Sequence, residues 1–99
     1  MIIEDIQNKI KQGKYSFSDH SVKRMIKRNV TRQQVESAIL TGEIIEEYPD
    51  DKFSPSGLIY GKTENDKDLH VQVSLPPFVV IITVYEPDPE EWVSCKTRR

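Results

Sequence analysis

Leu69-His-Val-Gln-Val-Ser-Leu75, then Pro76-Pro77, then Phe78-Val-Val-Ile-Ile-Thr-Val-Tyr85 is the stretch on which the fold turns. Leu69, Val71, Val73 and Leu75 alternate with His70, Gln72 and Ser74. That two-residue period belongs to a strand with one face buried and one face wetted. The prolines end it, because neither carries an N–H for a sheet ladder. Phe78 to Tyr85 is apolar at nearly every position, as a central strand must be when both of its faces are covered. The run Val79-Val-Ile-Ile82 therefore needs cover twice, and a dimer through the sheet face is one way to supply it. The chain is otherwise expected as a monomer.

Reading outward, Glu43-Ile-Ile-Glu-Glu-Tyr48 is a strand closed by Pro49-Asp-Asp, Gly57 to Lys62 is another, and Glu64-Asn-Asp-Lys67 is a turn. Pro87 and Pro89 end the sheet, and Trp92 is placed to fold back on it as a plug. Toward the N-terminus the period becomes helical. Ile2, Ile3, Ile6 and Ile10 share a face, with Gly13 as the stop. Ser18 or Asp19 caps a second helix that ends near Asn29, a residue tolerant of the left-handed conformation. Thr31-Arg-Gln-Gln34 has the form of a capping box opening a third helix, which Gly42 ends. Tyr15-Ser-Phe17 is too short to assign. Helices first and strands afterwards predict an α+β domain over residues 1–92, its N-terminal helices packed on a roughly four-stranded antiparallel sheet. Residues 93–99 are expected to form a flexible basic tail.

Ninety-nine residues suffice for one core. A single cysteine, Cys95, excludes an internal disulfide and fits a reducing compartment. The start carries acids where a secretory signal would be basic, and no stretch approaches the ~20 apolar residues of a membrane span. The expected location is cytoplasmic, with no membrane partner. The net charge of −2 conceals an asymmetry. Residues 1–42 hold eight Lys and Arg against four acids, while residues 43–91 hold three Lys against twelve acids. A local basic patch can attract a polyanion on an acidic protein. The acidic half argues against nonspecific coating of nucleic acid and could dock a basic partner.

His20, Arg24 and Arg28 recur every four residues, with Lys27 beside them. This step stacks a proton-transfer group and fixed cations on one helical face, as a phosphate site needs. A solvated charged face on an amphipathic helix would look the same. Val22, Met25 and Ile26 fall on the other side and are expected to face the core, which would aim the His20 stripe away from the sheet. His20 can then join a sheet-based site only where the helix starts at the sheet's edge. On the strands, His70 and Gln72 share the face opposite the core set, and Thr83 and Tyr85 share a face. A sheet face with a histidine and a phenol can hold a nucleotide by stacking, although an open sheet with a wetted side would show the same pattern. Two imidazoles, one as base and one as acid, with arginines on the phosphorane oxygens, suffice for metal-independent RNA cleavage. No ligand spacing suggests zinc, and no nucleotide-binding glycine motif is present, so no metal or cofactor is expected. The helix–turn–helix pattern is not read as a DNA reader, because its second helix is poor in basic and amide side chains after Gln34.

Four segments in register carry a resemblance: Ser18-Asp-His20 with Arg24, Met25 and Arg28; Gly42 to Asp50; Leu69-His70-Val71; and Thr83-Val-Tyr-Glu-Pro-Asp88 with Trp92. Their order resembles the bacterial family known as domain of unknown function 4258, over about residues 16–92. That family is thought to be related to the RelE, barnase and colicin-type ribonuclease toxins, which pack a helix pair on an antiparallel sheet. The resemblance implies a toxin-like endoribonuclease with an antitoxin or immunity protein as partner. The family pattern matches His20, His70, Thr83 and Tyr85, expected to be catalytic, and Arg24 and Arg28, expected to bind phosphate with Lys27 beside them on the helix. The acidic balance departs from strongly basic RelE-type toxins, which counts against a ribosome-dependent activity more than against cleavage of free RNA. The alternatives are a non-catalytic RNA- or protein-binding module using the same basic helix, and an inert family member whose charged stripe only stabilises the helix.

Overall fold

Local signals place the helices where they form. The computed structural model describes residues 3–52 and 54–99. Ile2 of the first helical pattern and Phe53 of the loop before the second long strand lie outside the described residues. Helix α1 (Ile3–Lys11) is followed by Gly13 at φ 70°, a left-handed position that glycine occupies without steric cost. Helix α2 (Asp19–Arg28) is capped by Ser18, whose Oγ accepts from the Ser21 N–H at 3.0 Å, and it ends at Asn29 with φ 57°. Helix α3 (Arg32–Thr41) opens with the expected box: Thr31 Oγ1 accepts from the Gln34 N–H at 3.1 Å, and Gln34 Oε1 accepts from the Thr31 N–H at 2.9 Å.

The strands are β1 (Tyr15–Phe17), β2 (Glu43–Tyr48), β3 (Ser56–Lys62), β4 (Asp68–Ser74) and β5 (Val79–Tyr85). They form one sheet in the order β1-β5-β4-β3-β2. The β2–β3, β3–β4 and β4–β5 pairs are antiparallel, whereas β1 runs parallel to β5 at the edge. The sheet is thus five-stranded and mixed, not four-stranded and antiparallel. Three residues of β1 cannot express a period of their own, and they become a strand only because β5 offers them a partner.

The helices cover one face. Ile6 and Ile10 of α1 and Val35, Ala38 and Ile39 of α3 are buried with Ile59, Leu69, Val71, Val73, Ile81 and Val84 of the sheet. Each isoleucine, leucine or valine among them contributes about 1.5–3 kcal/mol relative to exposure. Helix α2 departs from expectation. Its fully buried position is Ser21, and Met25 packs partly on the core. Val22 and Ile26 do not face the core at all: they are 41% and 77% exposed. The helix crosses β5 on its serine side, so the His20 stripe flanks the packed face instead of opposing it.

The chain after the sheet is not a free tail. Strands β6 (Trp92–Val93) and β7 (Thr97–Arg98) form an antiparallel hairpin. Trp92 is 2% exposed and acts as the plug that its position suggested. It packs against the buried His70 ring outside the helix-covered core. Of the double-apolar run, Val79 and Ile81 are buried, while Val80 and Ile82 stay half-buried. Among the described residues, no helix is long and apolar enough to cross a membrane.

Gly61 marks the tightest approach between layers. A Cβ built there would lie 1.8 Å from the Ala38 carbonyl oxygen of α3. Backbone atoms cannot yield as a flexible side chain can, so Gly61→Ala must push α3 off β3. We expect a loss of about 2 kcal/mol or more, at the upper end for single substitutions. Urea unfolding followed by far-UV circular dichroism measures it; an unchanged midpoint would show that α3 and β3 can part at this point without cost.

Candidate functional site

Ser18 determines where the site begins. Its N–H donates to the Ile81 carbonyl at 3.0 Å and its Oγ to the Ile82 carbonyl at 2.9 Å, while the same Oγ caps α2. The first turn of α2 is thereby pinned to the edge of β5, just beyond the three residues that β1 covers. His20 lies in that turn, and its Nε2 stands 3.2 Å from Thr83 Oγ1. The condition for a helix histidine to reach the sheet, a helix start at the sheet's edge, is met.

A β-bulge turns Thr83 toward His20. In the β4–β5 pair, Val73 opposes Ile81 but Gln72 opposes Thr83, so Ile82 is an extra residue on β5. Val79 and Ile81 point to the helices; strict alternation would send Thr83 and Tyr85 there too. The inserted Ile82 reverses the sense, so Val84 faces the core while Thr83 and Tyr85 join Gln72 and His70 on the outer face. Gln72 continues the row: its amide donates to Asp51 Oδ2 at 3.0 Å and to Ser56 Oγ at 3.1 Å. Beyond it opens a cleft of about 620 Å³ lined by Tyr48, Asp50, Asp51, Lys52, Gln72 and Arg98.

Arg24 lies one turn along α2 from His20 and is half-buried. Its Nε is shielded from solvent and meets no acceptor among the described residues. Such a donor costs ~1–3 kcal/mol, more when charged. Lys27 and Arg28 are exposed in the last turn.

The second pair of candidates, His70 and Tyr85, sits two rungs on along the same face, and its histidine is closed off. His70 is fully buried, and both ring nitrogens are engaged: Nε2 lies 2.6 Å from the Cys95 carbonyl and Nδ1 3.2 Å from the Tyr85 hydroxyl. A carbonyl only accepts, so Nε2 carries the proton and Nδ1 accepts from the phenol. Trp92 meets the imidazole edge-on at 4.4 Å between centroids, and Tyr60 and Tyr85 flank it. Burial lowers the His70 pKa from its ordinary value, partly offset by the Cys95 carbonyl and the Glu46 carboxylate. Burial likewise raises that of Tyr85. The structure thus brings His20 to Thr83 and, two rungs on, His70 to Tyr85; His20 is exposed and His70 buried, while Thr83 and Tyr85 are both half-buried.

The hairpin that encloses His70 is held by charge as well as by Trp92. The Arg98 Nε donates to both Glu46 oxygens, at 2.8 and 3.1 Å, and its guanidinium stacks on Trp92 with 4.6 Å to the ring centroid. Burial pushes the Glu46 pKa up, but hydrogen bonds from Tyr48 and Arg98 more than offset it and leave it below the usual value. Burial and the bond to Glu46 push the Tyr48 phenol to about 12. Sequence reasoning missed Ser18's second bond, the bulge, Gln72 with Asp51, and Arg98. Only the Arg98 charge opposite an acidic strand offered a signal. Among the described residues, no three His, Cys, Asp or Glu side chains gather as a metal site requires.

Residues 17–86 match the family model described as "Domain of unknown function (DUF4258)", so the chain belongs to that family. The match ends before the β6–β7 hairpin. No curated protein and no solved structure matched the chain.

The enclosure of His70 has a signature in pH. Its folded pKa is depressed while its unfolded value is about 6.5. Below about pH 6.5 the unfolded chain binds the proton more readily, so this group's contribution is present above that pH and is lost as the pH falls below it. The urea midpoint should fall between pH 7.5 and 5.5, and His70→Phe should flatten that slope while lowering the midpoint at pH 7.5. A wild-type midpoint constant over this range would mean that His70 is not held neutral in the fold.

Proposed function

We propose that this family member is a toxin-type endoribonuclease that cleaves RNA without a metal ion at the edge of β5, where α2 begins. The observation that carries the reading is the exposed His20 imidazole braced on Thr83, one turn from the half-buried Arg24, whose Nε has no acceptor among the described residues to hold the side chain back from a phosphate. His20 takes the 2′-hydroxyl proton, the 2′-oxygen attacks phosphorus, and the P–O5′ bond breaks. The leaving 5′-oxygen takes its proton from solvent, and the products are a 2′,3′-cyclic phosphate and a 5′-hydroxyl. Histidine suits the task because it exchanges protons near neutral pH. Arg24 and Arg28 neutralise charge growing on the phosphorane oxygens, with Lys27 adding to the field. Thr83 orients the imidazole. His70, enclosed by the hairpin, touches no substrate and with Tyr85 holds the outer face in shape. The kinship expected between this family and the RelE- and barnase-type ribonucleases is in keeping with the reading and would add an antitoxin or immunity protein as partner.

A second reading, a non-catalytic RNA- or protein-binding module, is favoured by one observation: the enclosure of His70 leaves a single accessible imidazole. One experiment separates the two. End-labelled RNA incubated with the protein at low salt in EDTA should yield 2′,3′-cyclic ends. His20→Ala should slow cleavage by about 10²-fold or more, the range for loss of a general base, and Arg24→Ala by at least about tenfold. RNA retained on filters but uncut, with affinity lowered by Arg24→Ala and untouched by His20→Ala, would replace the nuclease with the binding module.

A further inference from the structure

We infer that the β6–β7 hairpin is a cover that lifts, and that lifting it makes His70 the general acid of the RNA site. The catalytic half of this inference rests on the nuclease reading; the cover does not. His70 and Tyr85 share the outer face of the sheet with Thr83 and Gln72, two rungs from the place where His20 meets Thr83. Two residues of strand span about 7 Å. Such a step suits a base and an acid standing on either side of one phosphorus. The hairpin is what takes His70 off that face: Trp92 stands edge-on against the ring, and the Cys95 carbonyl accepts its Nε2–H at 2.6 Å.

Different parts of the chain hold the two sides of the ring. Nδ1 is fixed by Tyr85, the residue opposite in the β4–β5 ladder, and Nε2 by the hairpin. Lifting the hairpin therefore leaves the ring oriented, with an N–H freed to face outward. The cover is small. Its strands have two residues each, and its turn places Ser94 at φ 53° and Cys95 at φ 65°. Two-residue turns of this left-handed kind favour Asn and Gly, not Ser and Cys. Besides Trp92 and Cys95, ion pairs fasten it to β2: exposed Arg98 on Glu46 at 2.8 Å, and Lys96 on Glu43 at 3.0 Å. Pairs open to solvent are weak and screened by salt. Segments held in this way are the ones that open locally as lids.

Once uncovered, the imidazole regains water, and the burial that lowers its pKa is relieved. The Glu46 and Asp68 carboxylates favour the charged ring. Arg98, which disfavours it, leaves with the hairpin, as does the Cys95 thiol. Tyr60 and Tyr85 flank the ring as neutral phenols. The ring then takes a proton near neutral pH. As the P–O5′ bond breaks, Nε2 gives that proton to the leaving 5′-oxygen, and the neutral ring recovers one from solvent. His20 remains the base.

Cys95 is the only cysteine in the chain, and its Sγ lies 3.5 Å from Asp68 Oδ2. Asp68→Cys therefore places a second thiol where a disulfide can fasten the turn to β4, and a reductant opens it again. One protein thus supplies a locked and a free form. Treated with diethyl pyrocarbonate and read by peptide mass, His20 should react alike in both forms, and His70 at least tenfold faster in the reduced one. Arg98→Glu, which sets like charges against each other, should speed the reaction of His70 at least tenfold over wild type. On labelled RNA the reduced form should cut at least tenfold faster than the oxidised form. Its pH profile should be a bell whose alkaline limb the oxidised form lacks, a difference that altered packing alone does not produce. His70 modified equally in both forms, or protected even in Arg98→Glu, would show that the hairpin does not lift. Equal cleavage with equal pH profiles would overturn the acid. RNA left uncut in every form would remove the nuclease reading and the acid with it, and the modification rates would then decide the cover by themselves.

Discussion

The hydrogen bond from Ser18 Oγ to the Ile82 carbonyl joins the three features on which the outer face depends. It ties the start of α2 to the sheet, it uses a carbonyl at the bulge, and the same oxygen caps the helix. A bulged residue leaves the regular ladder, so its backbone groups must find other partners. Ser18 supplies one, and the inserted residue swings Thr83 and Tyr85 to the side away from the core. Helix direction, strand sense and the meeting of His20 with Thr83 therefore share one local cause.

The outer face then divides by solvent access. On the rung of Thr83 and Gln72 it stays open toward the acidic loop before β3. Two rungs on, a histidine is buried at little polar cost, because the Cys95 carbonyl and the Tyr85 hydroxyl satisfy both nitrogens. Trp92 supplies the apolar cover, and Arg98 stacks over it while paired with Glu46. Such a network favours one hairpin position over others, since a half-satisfied buried imidazole would be worse than an apolar side chain.

Helix α2 keeps two flanks out of the core for one physical reason. Because its contact with β5 runs through Ser21, neither its cationic stripe nor its apolar stripe is consumed by the core. The cationic flank carries His20 and Arg24 at the β5 edge; the apolar flank carries Val22 and Ile26 beside Phe17.

Much of this was written in residue order. Short-range chemistry set the caps at Ser18, Thr31 and Asn29, the period-two pattern of β4, the stop at Gly13 and the grouping of His20 with Arg24, because each depends on neighbours within a few positions. Tertiary structure decided the rest. Strand β1 exists only beside β5, and the Ile82 bulge has no local mark. The side on which α2 packs depends on the sheet beneath it, and the residues expected as a loose tail fold because His70, Glu46 and Trp92 meet across more than twenty positions of sequence. Patterning declares which groups prefer water. Which of them keep it is decided only when distant segments compete for the same face.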